Sequence, residues 1–175
     1  MPTLLTEPNQ RFFEAFCRLR RSTSSLVPPR KSLTLSVARR FAAHLAIIEA
    51  REPMTAHVRL VGTAIVQRTG IDNTGKNWLD LFSPEAREFV WQRIRRLCDT
   101  PLGVRALIRE QHTYPVIIET LNLPFARDDG TPSFMISTAV PLDLGTLSDR
   151  GKFLTQDGGY MEEQFIELGA QSQNR

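Results

Sequence analysis

The chain has 175 residues, 41% of them hydrophobic and 23% charged, which suits one domain that buries a core and excludes wholesale disorder. The net charge of +3 comes from 19 arginines and 3 lysines against 19 acidic residues. The basic residues are scattered rather than gathered into one block, so the charge alone does not indicate binding to nucleic acid.

The sequence also bears on location. It has no apolar run approaching the roughly 18 residues that a membrane span needs. The first ten residues lack the basic start and apolar stretch of a signal peptide. We therefore expect a cytoplasmic protein that does not insert into a membrane.

In chain order, the first predicted element is an amphipathic helix over residues 9–21. Its apolar side is spaced at three and four residues and carries Phe12, Phe13, Phe16 and Leu19. Asn9 is the predicted N-cap. Because three phenylalanines exceed what a peripheral helix needs to cap its own domain, these four residues predict a homodimer interface.

A linker with two prolines follows at 28–29, and then a second helix over 34–43. Short strands are predicted at 45–49 and 57–63. Two short helices, about 64–68 and 78–81, flank a loop that contains Gly70 and Gly75. The clearest helix starts at Pro84, with Ser83 as its N-cap, and stops near Thr100.

The rest of the pattern is β. Strands are predicted at 104–111, 114–123 and 134–140, with a hairpin turn at Asp128–Thr131. Strands at both ends of a helical block predict an α+β fold in which helices cover one face of an antiparallel, five-stranded sheet. We divide the chain into an N-terminal helical extension (1–43), a core (44–142) and a C-terminal tail (143–175). The segment 160–168 fits either a strand or a short helix.

The segment from Arg59 to Phe82 carries a family resemblance. An Arg-Leu-x-Gly-Thr strand end leads into a short helix, then a loop with Gly70 and Gly75, and then an aromatic turn. This combination resembles bacterial single-PAS-domain proteins, and the resemblance covers most of residues 10–142. Further similarity lies in an aromatic leading helix, a Pro-x-Arg-x-x-Leu connector and a loose closing motif at 165–170. The resemblance implies a PAS-like fold with a sensing or adaptor role and carries over no catalytic residues.

A sheet roofed by helices can enclose a small-molecule site. The same apolar positions can equally form a simple core, because periodicity does not separate the two interpretations. The candidate ligand-binding residues are Leu60, Gly62, Ile65, Trp78, Leu79, Phe82, Phe89, Ile118, Met135 and Ile136. The identity of the ligand or cofactor is left unknown.

Several specific chemistries find little support. Haem needs an axial ligand such as histidine, and His44, His57 and His112 fall near strand ends. Cys17 and Cys98 lie on apolar helix stripes, which disfavours covalent flavin chemistry. No cluster suggests a metal site. Arg105 and Arg109 are four apart on a strand and could grip an anion, although an exposed face paired with glutamates is the alternative.

The sequence supports a PAS-type signalling protein, without a catalytic site, that acts through an unidentified signalling partner. Two other classes stay open. A cone-shaped α+β isomerase would need an ionisable group, such as Glu49, Glu119 or His57, inside the cavity. An arginine-rich nucleic-acid adaptor would show salt-dependent binding.

Overall fold

The structure is a computed structural model that describes residues 2–110, 116–142 and 160–168. Within these residues four α-helices lie beside one antiparallel sheet. The helices are α1 (Glu7–Thr23), α2 (Leu35–Ala38), α3 (Thr63–Thr69) and α4 (Pro84–Asp99), with 3-10 helices at Arg30–Ser32, Ala42–His44 and Trp78–Leu81. The strands are β1 (Leu45–Arg51), β2 (Thr55–Val61), β3 (Leu102–Glu110), β4 (Val116–Ala126), β5 (Pro132–Pro141) and β6 (Tyr160–Glu167).

The sheet order is β2-β1-β5-β4-β3-β6, and every neighbouring pair is antiparallel. The predicted α+β architecture is confirmed, with six strands instead of five. The additional strand is β6, which pairs with β3 from Leu102↔Glu167 to Ile108↔Tyr160. The sequence of this segment fits either a helix or a strand. It forms a strand because it pairs with the otherwise open edge of β3. The remainder of the 143–175 tail lies outside the described residues.

Helices cover both faces of the sheet. On one face, α4 and the 3-10 helix Trp78–Leu81 pack over strands β1, β3 and β5. On the other face, α1 packs over β4 and β5, where Phe12 and Phe16 are both fully buried. The expectation that helices cover a single face is therefore corrected. The sequence of β4 fits this arrangement, because its residues are buried almost without interruption, as expected for a strand that is covered on both faces.

The predicted dimer residues belong largely to the chain's own core. Phe12 stacks on Phe125 with a centroid distance of 6.4 Å, and Phe16 meets the same ring edge-on at 5.3 Å. Leu19 joins this cluster, and Phe13 is partly buried against it. A dimer interface built from Phe12, Phe16 and Leu19 is thus contradicted, because these side chains are already buried within one chain.

The start of α1 is held by a buried carboxylate from the sheet. Thr6, not Asn9, is the N-cap residue, and its side chain makes no capping bond to the helix backbone. Instead Glu119 of β4 accepts hydrogen bonds from the Leu5 and Thr6 backbone N–H groups, each at 2.9 Å, and from Asn9 Nδ2 at 2.9 Å. A negative charge at this position also complements the positive end of the helix dipole.

Candidate ligand-binding site

A cavity of about 330 Å³ lies between α4 and the face of the sheet that α4 covers. Strands β3, β4, β5 and β6 contribute to its wall, and so do Trp78 of the 3-10 helix Trp78–Leu81 and the following residue Phe82. Most of the wall is apolar or aromatic. The lining residues are Trp78, Phe82, Phe89, Val90, Arg93, Ile94, Arg96, Leu97, Leu102, Val104, Ile108, Arg109, Asn122, Met135 and Phe165.

Helix α4 forms the roof because its apolar residues recur on one side. Val90, Ile94 and Leu97 follow the spacing of three and four residues that places side chains on one helical face. Pro84 at the first position fits an N-terminal turn, where no intrahelical N–H bond is lost. This face of the helix is therefore directed at the sheet, with the cavity in between.

Four aromatic side chains line the cavity: Trp78, Phe82, Phe89 and Phe165. Trp78 and Phe82 contact edge-to-face, with centroids 5.2 Å apart and planes at 88°. Asn77 fixes the turn before them, because its Oδ1 accepts the backbone N–H of Leu79 at 3.3 Å and that of Ala56 in β2 at 2.9 Å. Phe89 is 62% exposed and Phe165 is 46% exposed, so these two lining rings lie where the cavity opens to solvent.

The side chain of Asn122, on the sheet side of the cavity (the floor), already makes hydrogen bonds within the sheet. Asn122 of β4 accepts a hydrogen bond from Ser137 Oγ at 2.6 Å and donates one to the Val104 carbonyl at 3.2 Å. The partly buried side chain of Asn122 therefore has both its oxygen and its nitrogen hydrogen-bonded within the protein. The floor therefore presents mainly apolar surface to a bound molecule.

Three arginines reach the cavity wall. Arg93 pairs with Glu163 of β6, and its guanidinium lies 5.6 Å from the centroid of the Phe89 ring. The guanidinium of Arg96 lies 5.1 Å from the centroid of the Phe165 ring. Both contacts are cation–π arrangements. Arg109 of β3 is the third.

Four of the ten candidate ligand-binding residues lie on this wall: Trp78, Phe82, Phe89 and Met135. Leu79 is fully buried in the core cluster beside the cavity. Ile65 lies on α3 and Ile118 is buried in β4, both outside the wall. Ligand binding by the four wall residues stays a prediction.

Strand geometry explains two of the misplaced candidates, Ile136 and Leu60. Ile136 directly follows Met135 in β5, so it points to the opposite face and joins the α1 cluster. Simple alternation along β2 would place Leu60 on the same face of the sheet as Val58. The register shift between Ile47 and Ile48 leaves Arg59 as an extra residue in β2, so Leu60 does not share that face.

Gly62 has a structural role outside the cavity. A Cβ at this position would lie 2.4 Å from the Ala43 carbonyl oxygen, so only glycine permits the close approach of the two backbones. The residue lies between β2 and α3, where its N–H donates to the Leu45 carbonyl at 2.7 Å. Its candidate role in the cavity is therefore corrected.

The sequence pattern did not identify the remaining wall residues, which lie on α4, β3, β4 and β6. Val90, Ile94 and Leu97 lie on the same predicted helix as Phe89, at the three- and four-residue spacing of one apolar face, and this spacing is a sequence signal for them. Phe165 gave no such signal, because the placement of β6 beside β3 depends on pairing between distant segments.

The ionisable groups that an isomerase would need lie elsewhere. Glu49, Glu119 and His57 are absent from the cavity wall. Arginines surround Glu49, which accepts from Arg59 Nε at 2.6 Å and pairs with Arg51 and Arg127 at 3.0 Å. Burial favours a higher pKa for Glu49, but the hydrogen bonds and charges of Arg51 and Arg59 outweigh it and hold the pKa below the ordinary 4.5.

The remaining candidates for specific chemistry also lie away from the cavity. Arg105 is buried on the α1 side, where its Nε donates to Glu119 at 3.0 Å, so it does not share a site with Arg109. Burial raises the pKa of Cys98 to about 12 and also raises that of Cys17.

His44 and His57 do not line the cavity, and His112 lies outside the described residues. Among residues 2–110, 116–142 and 160–168, no group of three or more His, Cys, Asp or Glu side chains could hold a metal ion. The helices in these ranges are too short or too polar to cross a membrane.

Comparison with known proteins supplies the family. The PAS domain family matches residues 5–138, which is most of the chain. No curated protein matches. Among solved structures, the chain is similar to a sensory box sensor histidine kinase from Vibrio cholerae, with 18% identity, a TM-score of 0.41, and coverage of 77% of this chain and 98% of that one.

Two light-oxygen-voltage proteins are similar at the same level. An RNA-binding light-oxygen-voltage receptor has 20% identity and a TM-score of 0.45, over 71% of this chain and 38% of that one. A Rhodobacter sphaeroides LOV protein has 13% identity and a TM-score of 0.43, over 76% and 67% of the two chains. From the family match and the fold described above, this chain belongs to the PAS domain family.

Proposed function

We propose that this protein is a signal-sensing PAS module that binds a small molecule between α4 and the sheet and passes the signal to a protein partner. The proposal includes no catalytic step. The observation that carries it is the cavity of about 330 Å³, with four aromatic side chains on its wall. That volume falls at the lower end of the roughly 300–1,000 Å³ typical of small-molecule sites.

The route for the signal follows from what α4 touches. Its cavity-facing residue Arg93 pairs with Glu163 of β6, so a ligand that shifts α4 acts directly on the C-terminal strand. A ligand changes the population of a conformation only through different contacts in each state. The output therefore depends on a protein partner, an unidentified signalling protein, that contacts α4 and β6 and binds differently when they shift. Self-association remains part of the proposal, through a surface other than the buried phenylalanines of α1.

Native mass spectrometry of gently purified protein tests this function. We expect a non-covalent adduct of small-molecule mass on the wild type, and the same spectrum reports the number of subunits. Ile108→Trp fills the cavity from β3 and should remove the adduct. Ile71→Trp is the matched control, because Ile71 lies in a loop, is half exposed and does not line the cavity. A wild type without adduct, or equal adducts on both variants, would contradict ligand binding.

A further inference from the structure

The mouth of the cavity combines exposed apolar rings with positive charge. Phe89 of α4 and Phe165 of β6 both line the cavity and are exposed, and each ring has a guanidinium over its face. Exposed aromatic rings of this size are expected to be covered by something, and arginine beside them adds a preference for an anion. The mouth therefore suits a molecule with an apolar body and an acidic end.

The arginines of this helix differ in how their charge is balanced. Arg93 is paired with Glu163, and Arg95 is paired with Asp99 at 2.8 Å on the side of α4 away from the cavity. In the part of the chain that the structure describes, Arg96 contacts Phe165 and forms no ion pair with a carboxylate. Arg96 is thus the cation at the mouth whose carboxylate partner can be supplied by a ligand.

The interior favours the opposite end of such a molecule. Its wall consists largely of side chains such as Leu97, Val104 and Met135, and the amide of Asn122 is engaged by Ser137 and Val104. Burying a carboxylate there without a partner would be costly, whereas a carboxylate at the mouth stays partly solvated. The orientation of the bound molecule follows: apolar body inside, acid outside.

Resting on the proposed function, we propose that the ligand is a compact, flat organic acid and that Arg96 binds its carboxylate at the mouth of the cavity. The edge-to-face pair of Trp78 and Phe82 on the cavity wall suits an aromatic body. The guanidinium fork gives a carboxylate two parallel hydrogen bonds, which selects it over a neutral group of the same shape.

Isothermal titration with 2-naphthoate and its neutral counterpart 2-naphthamide tests this assignment. The wild type should bind the acid about tenfold or more tightly than the amide, as a charge-assisted hydrogen bond predicts. Arg96→Gln should bring the two affinities together, and Arg96→Lys should retain part of the preference. Arg95→Gln, a neighbour on the same helix that does not line the cavity, should behave as the wild type.

The outcomes separate this inference from the proposed function. If Arg96→Gln still prefers the acid, or the wild type binds both probes equally, the role of Arg96 is overturned while a ligand-binding cavity stands. If the wild type binds neither probe, or Ile108→Trp binds both as well as the wild type does, the cavity as a ligand site falls together with this inference.

Discussion

At the scale of single residues, two glutamates on strands hold distant segments together. Glu119 is fully buried and joins the start of α1 to Arg105, while Glu49 collects three arginines. A buried carboxylate is tolerated only when its hydrogen bonds and charge are matched, and both residues meet that condition. Their role in this fold is to organise structure on the sheet.

Replacing Glu119 with glutamine should destabilise the protein strongly. The amide cannot accept from all of the N–H groups at the start of α1, and it leaves Arg105 without its buried counter-charge. Breaking a buried pair costs about 3–5 kcal/mol, so we expect a fall of that order in the free energy of unfolding in urea. Glu88→Gln, at an exposed position on α4, is the control and should change it by less than about 0.5 kcal/mol. A fall of similar size in both variants would argue against the buried network.

Glu49 predicts an acid-sensitive contribution. Its pKa in the fold lies below 4.5, the ordinary value expected in the unfolded chain. The unfolded chain therefore binds the proton more readily, so this stabilisation is present above pH 4.5 and is lost as the pH falls through the lower, folded-state pKa. Denaturant unfolding from neutral pH to pH 3 should show a smaller acid loss in Glu49→Gln than in the wild type. Parallel curves for the two proteins would refute the prediction.

At the scale of elements, α1 behaves as part of the core. Its inner residues are buried against β4 and β5, and Phe12 also meets Phe41 at 5.2 Å. The sequence predicted the helix and its apolar face correctly. It did not identify the surface that this face covers, because the same stripe fits a sheet or a second subunit.

Phe12→Ala therefore removes a buried aromatic ring and should cost about 3–5 kcal/mol of unfolding free energy. Phe89→Ala removes the same group from an exposed position on α4 and should cost far less. Thermal unfolding of the two variants, with their masses in solution, provides the measurement. If Phe12→Ala left the stability intact but dissociated a dimer, α1 would be an interface and not a core element.

At the scale of the whole molecule, the first and last described segments meet at one buried arginine. Arg105 of β3 donates to Glu119, which holds Leu5 and Thr6, and it also pairs with Glu162 of β6. One side chain thus links two elements that are more than 130 residues apart in sequence. Their local stabilities are expected to be coupled.

Arg105→Met tests this link through hydrogen exchange. Loss of a shared buried charge should raise the exchange of the Leu5 and Thr6 amides and of β6 amides by about tenfold or more, since local opening reflects local stability. Arg93→Met is the matched control, because Arg93 reaches β6 from α4 and should affect β6 alone. Unchanged exchange at Leu5 and Thr6 in Arg105→Met would show that the two ends are independent.

The sequence by itself determined the local elements and the family. Caps, turn residues and periodicity located α4, the 3-10 turn at Trp78 and strands β3, β4 and β5. These signals arise between residues that are only a few positions apart. The motif around Gly62 indicated the PAS fold for the same reason. The sequence also predicted four of the residues that line the cavity: Trp78, Phe82, Phe89 and Met135.

Only the tertiary structure decided which surfaces meet. The bulge at Arg59 reversed the face of Leu60, Ile136 fell opposite Met135, β6 completed the sheet, and α1 closed the second face. Each of these outcomes depends on strand register or on packing between segments far apart in the chain. A short stretch of sequence shows that an element has an apolar face, but not which surface that face packs against. That surface is determined only when the whole chain folds.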